Sequence, residues 1–408
     1  MLDDHLEEVK SFLKRLEAEK EIHVVVMPDF FLDRFVSLNF NLEAFVDAVA
    51  NVLWRKGGSI DGIAQKDFRG GNAVNTASAL ASLGARVTPI VCTDKLGFRL
   101  LKFYLKSPRI SLSHVKIVEK PSITTALEFQ TTDGKINVML RDVGSLADFG
   151  PQNLDGEDFE VIQKADYVCV FNWAGTRKFG TALAQTVLQH AKTRGRGKTY
   201  FDSADPTPNK KKAPDLLRKV LQANLVDILS LNENEAFFYA SLLNPKVKSL
   251  KQKLSFEELA LESAKTLAER LNARIDLHTT SFSASFTKEN KTIIPAFNVP
   301  VLRATGAGDA WNAGNIIGDA YGLPDAVRLT LANATAAYYI SNPKAAHPTR
   351  EQLIKFCDKL KACGRPKQIK VRLLKGEAAK AGDALTCRQK SSTLTSSWKS
   401  ARGQNTAR

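Results

Sequence analysis

The sequence is poor in cysteine and has no long apolar run. Its five cysteines among 408 residues are scattered, and no two of them form a Cys-x-x-Cys pair. This argues against a disulfide framework or a zinc site and is typical of a reducing cytoplasm. The sequence contains no stretch of eighteen apolar residues, so it predicts no transmembrane helix. Because the start, MLDDHLEEVK, also lacks the basic and apolar regions of a signal peptide, we predict a cytoplasmic protein without a membrane partner.

Acidic residues are scarce at the C-terminal end. The chain has a net charge of +15, and from Lys361 to Arg408 twelve Lys and Arg residues stand against Glu377 and Asp383, a net +10. Residues 364–408 have little apolar periodicity, so they are predicted to form a basic, disordered tail. Such a tail can bind nucleic acid, but Trp398 is its one aromatic residue for base stacking. A nucleic-acid partner is therefore less favoured than a solvated tail.

The rest of the chain alternates between helices and strands. Apolar residues recur at helical spacing within residues 1–21, which predicts an amphipathic surface helix. Residues 22–363 form the main domain, with apolar strands predicted at 22–27, 85–92, 167–173, 198–204, 226–232 and 273–280. Helices between these strands predict an α/β fold, a doubly wound, mostly parallel sheet with helices on both faces. Runs at 124–130 and 135–140 flank a turn and predict a hairpin that forms a small β lid.

The strongest local pattern is ATGAGD at residues 304–309, which leads into a predicted helix. Its glycines let the backbone approach an anion, and the N–H groups and dipole of a helix start make an anion-binding nest. We expect the dipole to hold Asp309 ionised. An ionised carboxylate there can accept the proton of a hydroxyl that attacks a γ-phosphate. A glycine-rich loop with Asp309 as a plain helix cap explains the pattern equally well.

Two weaker patterns accompany it. Gly70 and Gly71 precede a helix that carries Asn75, and such a turn can bring backbone and amide groups to substrate hydroxyls. Asn232 and Glu235 share one helix face at i,i+3 spacing after a strand, where they can hold Mg²⁺ through its water shell. Taken alone, the first is more often a tight turn and the second a helix cap with a first-turn glutamate.

In order and spacing, the three patterns resemble the ribokinase-like (PfkB) carbohydrate kinase family. GGNAVNTASALASLGA is similar to its first signature, ATGAGDAWNAG to its second, and LNENEA to its Asn-x-x-Glu motif. The resemblance covers roughly residues 22–360. It implies a ribokinase-like fold with a β lid, ATP and Mg²⁺ as cofactors, and a sugar or nucleoside as acceptor. It also implies a homodimer that forms through lid strands.

The resemblance gives individual residues a role. Asp309 falls on the catalytic base, and Gly306, Ala307 and Gly308 fall on the anion hole. Asn232 and Glu235 fall on the Mg²⁺ and phosphate motif. Gly70, Gly71 and Asn75 fall on the sugar-binding turn. Asp33 falls on an acid that binds substrate hydroxyls, although Pro28 stands where the family has a glycine.

The sequence departs from the family at the nucleotide and cation positions. By the resemblance, Thr279 and Thr305 fall on positions that bind the nucleotide. However, residues 279–283 read TTSFS where the family has a Thr-x-Gly-x-x-Gly pattern. Many members are activated by K⁺ beside the anion hole, and an Asp two residues before the Thr of the second signature helps form that site. Arg303 stands at this position. A guanidinium cannot coordinate a cation, so we predict that this chain needs no K⁺.

These observations predict a kinase that moves the γ-phosphate of ATP to a sugar hydroxyl. A nucleoside kinase is the first alternative, because nucleosides present similar hydroxyls to the same turn. A non-catalytic ligand-binding or regulatory protein on a kinase scaffold is the second. The missing nucleotide-loop glycines favour this alternative, whereas Asp309, Asn232 and Glu235 argue against it.

Overall fold

The computed structural model describes residues 2–16, 19–38, 40–131 and 134–362, so the predicted basic tail lies outside the described residues. The strands are β1 (His23–Met27), β2 (Phe31–Leu38), β3 (Ala64–Gly70), β4 (Arg86–Pro89), β5 (Cys92–Thr93), β6 (Lys116–Ile117), β7 (Ser122–Thr131), β8 (Gly134–Asp142), β9 (Tyr167–Phe171), β10 (Lys198–Asp202), β11 (Ile228–Leu231), β12 (Arg274–His278), β13 (Phe282–Phe286) and β14 (Lys291–Pro295). The α-helices are α1 (Leu2–Arg15), α2 (Leu42–Trp54), α3 (Asn72–Leu83), α4 (Lys95–Tyr104), α5 (Gly156–Lys164), α6 (Gly180–Arg194), α7 (Ala213–Leu216), α8 (Glu233–Leu243), α9 (Lys246–Leu250), α10 (Phe256–Arg270), α11 (Ala307–Ala320), α12 (Asp325–Ser341) and α13 (Arg350–Ala362).

The main sheet has eight strands in the order β14, β13, β12, β11, β10, β9, β1, β4. Neighbours from β12 to β4 are parallel, whereas β13 and β14 run antiparallel at one edge. The predicted mostly parallel α/β sheet is confirmed. Because parallel strands end at the same edge, the residues at and just after the ends of β1, β9, β10 and β11 meet there. That edge holds Asp29, Asn172, Asp202 and Asn232.

Helices cover both faces of this sheet. On one face α3, α11 and α12 pack together, with α1 and α13 against α12. On the other face α6 contacts β9 and β10, and α10 contacts β12 and β13. The apolar side of α1, with Leu6, Val9 and Phe12, belongs to the same buried core as β1. No described helix is both long and apolar enough to cross a membrane.

The lid is a separate four-stranded sheet in the order β3, β2, β7, β8. The predicted hairpin forms its β7 and β8, but β2 and β3 were not predicted from the sequence. Most of β3 is exposed, and its sequence AQKDFRG carries no apolar alternation that would mark a strand. On the outer face of this sheet, Val36, Leu38 and Phe129 pack with Phe45 of α2.

Candidate active site

Asp309 lies in the first turn of α11 and is buried. Gly306 is the residue before this helix, with a left-handed φ of 87°. A Cβ added at Gly306 would lie 2.7 Å from the Tyr339 hydroxyl oxygen, so both conformation and space require glycine here. The helix begins at Ala307, which places Gly308 inside its first turn and not in the preceding loop. The Ala307 N–H donates to the Ala304 carbonyl at 3.1 Å, so this predicted anion-hole donor is engaged within the loop.

The Asp309 carboxylate is held by two amides of α3. Asn72 Nδ2 donates to Oδ1 at 2.8 Å, and Asn75 Nδ2 donates to Oδ2 at 3.0 Å. The turn at residues 70–75 and the loop at 304–309 therefore meet at this carboxylate, although they lie more than two hundred residues apart. Asn75 was predicted as a site residue, whereas Asn72 was missed. An amide directly after the two glycines was the only signal for it.

Burial, the largest effect, raises the pKa of Asp309 well above its usual value. The Asn75 hydrogen bond works against this rise, and the charges of Asp202 and Asp29 add to it. Burial therefore works against the helix dipole, which was expected to hold Asp309 ionised. A raised pKa makes the carboxylate more basic, which suits a general base.

Gly70 makes room for the carboxyl group of Asp33, and Gly71 makes room for the backbone at Asp29 and Phe30. A Cβ at Gly70 would overlap the Asp33 carboxylate, and one at Gly71, with a φ of 94°, would lie 2.8 Å from the Asp29 carbonyl oxygen. Asp29 is fully buried and was missed by the sequence patterns. Its carboxylate accepts hydrogen bonds from the N–H groups of Asn72 and Ala73, both at 2.9 Å, and thereby caps α3. Asp29 thus fixes the turn that carries Asn72 and Asn75.

Asp33 lies on β2 of the lid, and Gly70 leaves its side chain open to the turn. Burial raises its pKa to about 6, while the Thr124 hydroxyl and the Arg141 charge work against that rise. The carboxylate is therefore ionised at neutral pH, and an ionised carboxylate accepts hydrogen bonds from hydroxyls. Its predicted contact with substrate stays a prediction.

Asn232 and Glu235 form a capping box at the start of α8. Asn232 Oδ1 accepts from the Glu235 N–H at 3.0 Å, and Glu235 Oε2 accepts from the Asn232 N–H at 2.9 Å. The helix cap with a first-turn glutamate, which was the alternative explanation of this pair, is therefore present. Burial raises the pKa of Glu235 well above its usual value, and the charge of Asp202 raises it further. A nearby cation would relieve this crowding of carboxyl groups.

No three His, Cys, Asp or Glu side chains in the described part of the chain are placed to bind one metal ion together. Asn232 and Glu235 are thus suited to hold Mg²⁺ through water or phosphate rather than in a cage of protein ligands. Asp202, at the end of β10, is a further acid at this place that no sequence pattern indicated.

Thr279 closes the turn that replaces the glycines of the nucleotide loop. Its Oγ1 donates to the Phe282 carbonyl at 2.8 Å and accepts from the Phe282 N–H at 3.0 Å. Thr305 is exposed just before Gly306. His278 packs beside Gly308 and on the Trp311 ring, 5.1 Å between ring centres. Since burial lowers the pKa of His278 to about 4, it adds no charge at neutral pH.

Arg303 lies beside the loop that leads to Asp309. Its Nη2 donates to the Pro343 carbonyl at 3.2 Å, and its guanidinium lies 5.7 Å from the centre of the Phe68 ring. This cation therefore joins the loop before α11 to the segment after α12. A second arginine, Arg69, donates from Nη2 to His347 Nδ1 at 2.9 Å and was not predicted.

The chain resembles solved kinase structures over most of its length. Ribokinase from Cryptococcus neoformans var. grubii serotype A, in complex with ADP, is 17% identical, with 83% of this chain and 99% of that chain covered and a TM-score of 0.62. Adenosine kinase from Sinorhizobium meliloti is 16% identical, with 84% and 99% covered and a TM-score of 0.62. Arabidopsis thaliana ribokinase, complexed with ribose and ATP, is 18% identical, with 83% and 99% covered and a TM-score of 0.60. At these identities the likeness shows the fold.

No curated protein matches the sequence. The model of the pfkB family carbohydrate kinases matches residues 42–352, which include both glycine-rich signatures and the Asn-x-x-Glu motif. With the ribokinase-like fold, this match shows that the chain belongs to the pfkB family of carbohydrate kinases.

Proposed function

We propose that this chain is a kinase that transfers the γ-phosphate of ATP to a hydroxyl of a sugar, with Asp309 as the general base. The observation that carries the proposal is the pair of amide hydrogen bonds from Asn72 and Asn75 to the Asp309 carboxylate. These bonds join the Asp309 carboxylate, at the end of the loop at residues 304–309, to the turn at residues 70–75, which we propose binds the acceptor. A hydroxyl bound at that turn would replace one amide at Asp309 and give up its proton there.

The phosphoryl group would be held by the start of α11. The hydroxyl oxygen forms a bond to the γ-phosphorus, the bond from that phosphorus to the ADP oxygen breaks, and Asp309 takes the proton. The Gly306 and Gly308 N–H groups and the positive end of the helix dipole would stabilise the charge that develops. Mg²⁺, held through water by Asn232 and Glu235, would neutralise phosphate charge.

A nucleoside acceptor is the second candidate, because the fold is as similar to adenosine kinase as to ribokinase. A panel of sugars and nucleosides tested for ADP release with ATP and Mg²⁺ decides between them. Turnover of a sugar and not of nucleosides supports the first proposal, and the reverse supports the second. Saturable binding of a panel member without ADP release would replace both with a non-catalytic binding protein.

We also propose that the lid pairs with a second copy of the chain. β8 is an edge strand, and the side chains of Ile136, Val138 and Leu140 on it are about half exposed. An exposed apolar edge strand is a ready partner for another strand or sheet. Sedimentation equilibrium would give the mass of a dimer for the intact protein, and a Val138→Lys variant would shift it toward the monomer.

A further inference from the structure

A cavity lies beside α8, apart from the residues of the candidate active site. Its volume of about 450 Å³ is within the range of small-molecule sites in proteins. The segment after β10, one face of α8, and α9 with the residue that follows it form its walls. Asn234, Phe238 and Ser241 recur at i, i+4 and i+7 spacing, so they share that face of α8. None of the residues assigned to phosphate transfer or acceptor binding lines this cavity.

The walls of the cavity are mainly apolar. Phe237, Phe238 and Leu242 of α8 are half-buried, and Pro206 of the segment after β10 is buried. Phenylalanine rings pack well against another flat ring, either offset in parallel or edge to face. A flat apolar ring in the cavity would also remove this exposed apolar surface from water. The walls therefore favour a ligand with such a ring.

One polar atom inside the cavity lacks a partner. Ser241 is 6% exposed, and its Oγ forms no hydrogen bond with any described residue. Leaving a buried hydroxyl without a hydrogen bond is unfavourable, and such groups are rare in folded proteins. A ligand atom that donates to or accepts from Ser241 Oγ would remove this cost. The inner part of the ligand should therefore carry a polar atom.

The mouth of the cavity carries a surplus of positive charge. Lys248 and Lys251 are exposed there, and within the described residues neither of them forms an ion pair with a carboxylate. Asp205 is the one acid among the lining residues, and its Oδ1 accepts from the Thr207 N–H of its own turn at 3.0 Å. The Lys251 ammonium lies 5.7 Å from the centre of the Phe237 ring, so a cation stands beside the apolar wall.

We propose that this cavity binds a small molecule that consists of a flat apolar ring and a phosphate or carboxylate group. The ring packs on Phe237 and Phe238, where its polar atom reaches Ser241. The anionic group pairs with the ammonium groups of Lys248 and Lys251 at the mouth. This site is additional to the kinase site, and the proposal does not rest on the proposed kinase function.

Matched probes test the proposal on the full chain by calorimetry. Naphthyl phosphate is compared with naphthyl methyl ether, and naphthaleneacetate with naphthaleneacetamide, so that each pair differs in the anionic group. Inorganic phosphate and acetate are the anions without a ring. A salt concentration of about 0.15 M screens weak contacts between probes and other exposed cations.

Two double variants remove the same charge from the same segment. Lys248→Gln with Lys251→Gln changes the cavity. Lys246→Gln with Lys253→Gln is the control, because these two lysines are also exposed but do not line the cavity. Ser241→Ala tests the inner hydrogen bond separately. All four lysines are on the surface, so both double variants should keep the fold, which circular dichroism checks.

We expect one equivalent of an anionic probe to bind, with its neutral partner and the anion without a ring each at least about tenfold weaker. The cavity double variant should weaken binding of that probe by about fivefold to thirtyfold, as expected for two exposed ion pairs. The control double variant should change it by less than about twofold. Ser241→Ala should weaken it by about threefold to tenfold through the lost hydrogen bond. The preferred probe identifies the anionic group as phosphate or carboxylate.

Other outcomes overturn the proposal. Equal weakening by the two double variants would show attraction to the surface charge and no defined site. Equal affinity for anionic and neutral probes would remove the role of the lysines, and equal affinity for inorganic phosphate and naphthyl phosphate would remove that of the apolar walls. Absence of binding by every probe at millimolar concentration would show that the cavity is not a site for this class of ligand.

Discussion

At the residue scale, Asp309 is the position on which the proposed chemistry depends. We expect Asp309→Asn to lower kcat by about 10²- to 10⁴-fold, the range typical for loss of a general base. The fold should survive, because an amide fits the space of the carboxylate and because burial, which raises the pKa of Asp309, disfavours the charge that the variant removes. Circular dichroism and steady-state kinetics check both parts.

A first-turn acid on another helix provides the control for that variant. Glu157 is exposed in the first turn of α5, so Glu157→Gln removes a helix-start charge away from the site. It should change stability by less than about 1 kcal/mol and leave kcat unaltered. Turnover of Asp309→Asn within about threefold of the unmodified protein would remove Asp309 from the mechanism.

Arg303 leads to a prediction about cations. Its guanidinium donates to the Pro343 carbonyl and supplies a fixed positive charge beside the loop at residues 304–309, which is proposed to bind phosphate. Activity measured in K⁺, Na⁺ and choline at equal ionic strength should therefore agree within about twofold, because a guanidinium repels a bound cation and cannot coordinate one. Arg303→Asp should lower activity, and K⁺ should restore part of it. Tenfold activation of the unmodified protein by K⁺ would contradict this role.

The sequence predicted the site only as far as local patterns reach. The structure brings together the motif residues Asp309 and Asn75, and their proposed roles remain predictions. Asn72 and Asp29 were missed, because their roles depend on hydrogen bonds between segments far apart in the chain. The raised pKa of Asp309 was missed for a similar reason, since burial is a property of the assembled core and the helix dipole is a property of one element.

At the element scale, the turn between β3 and α3 depends on Gly71. A Cβ there would lie 2.8 Å from the Asp29 carbonyl oxygen and 2.9 Å from Phe30 Cα, which are backbone atoms that cannot easily move. Gly71→Ala should therefore lower the free energy of unfolding by about 2–4 kcal/mol, because the cost of a positive φ for alanine adds to the cost of the steric overlap. Chemical denaturation measures the loss.

Gly62 provides a matched control for Gly71. It also has a positive φ, 76°, but a Cβ there would meet nothing within 4 Å. Gly62→Ala should reduce the free energy of unfolding by only about 1 kcal/mol, which is the conformational part. Equal losses for the two variants would show that the close approach at Gly71 is unimportant.

Helix α1 was predicted as a surface segment distinct from the kinase domain, yet its apolar side contributes to the central core. Leu6 is 1% exposed in that core. Leu6→Ala should lower the free energy of unfolding by about 2–5 kcal/mol, as expected for a buried leucine. The exposed neighbour Glu8→Ala should change it by no more than about 0.5 kcal/mol. A small effect of Leu6→Ala would restore α1 as an independent appendage.

Elements were predictable where their burial pattern was simple. Strands β1 and β9 are buried throughout and their sequences are mostly apolar, so they were found in place. Strands β2 and β3 were missed, because β3 is mostly exposed and β2 mixes apolar and charged residues on a sheet with one polar face. These two lid strands therefore became visible only through their pairing, β2 with β7 and β3 with β2.

At the scale of the whole molecule, the positive charge is concentrated in the predicted basic tail. Removing residues 365–408 takes away eleven Lys and Arg residues and two acids. Since the sequence predicts little core-forming periodicity in this segment, truncation after Gly364 should leave kcat and the melting temperature unchanged. It should also lower the salt concentration needed to elute the protein from heparin, because fewer cations release fewer counterions.

A variant with Lys210→Gln and Lys211→Gln, two exposed lysines of the main domain, is the control and should shift elution much less. A large fall in melting temperature after truncation would instead show that the tail is structural.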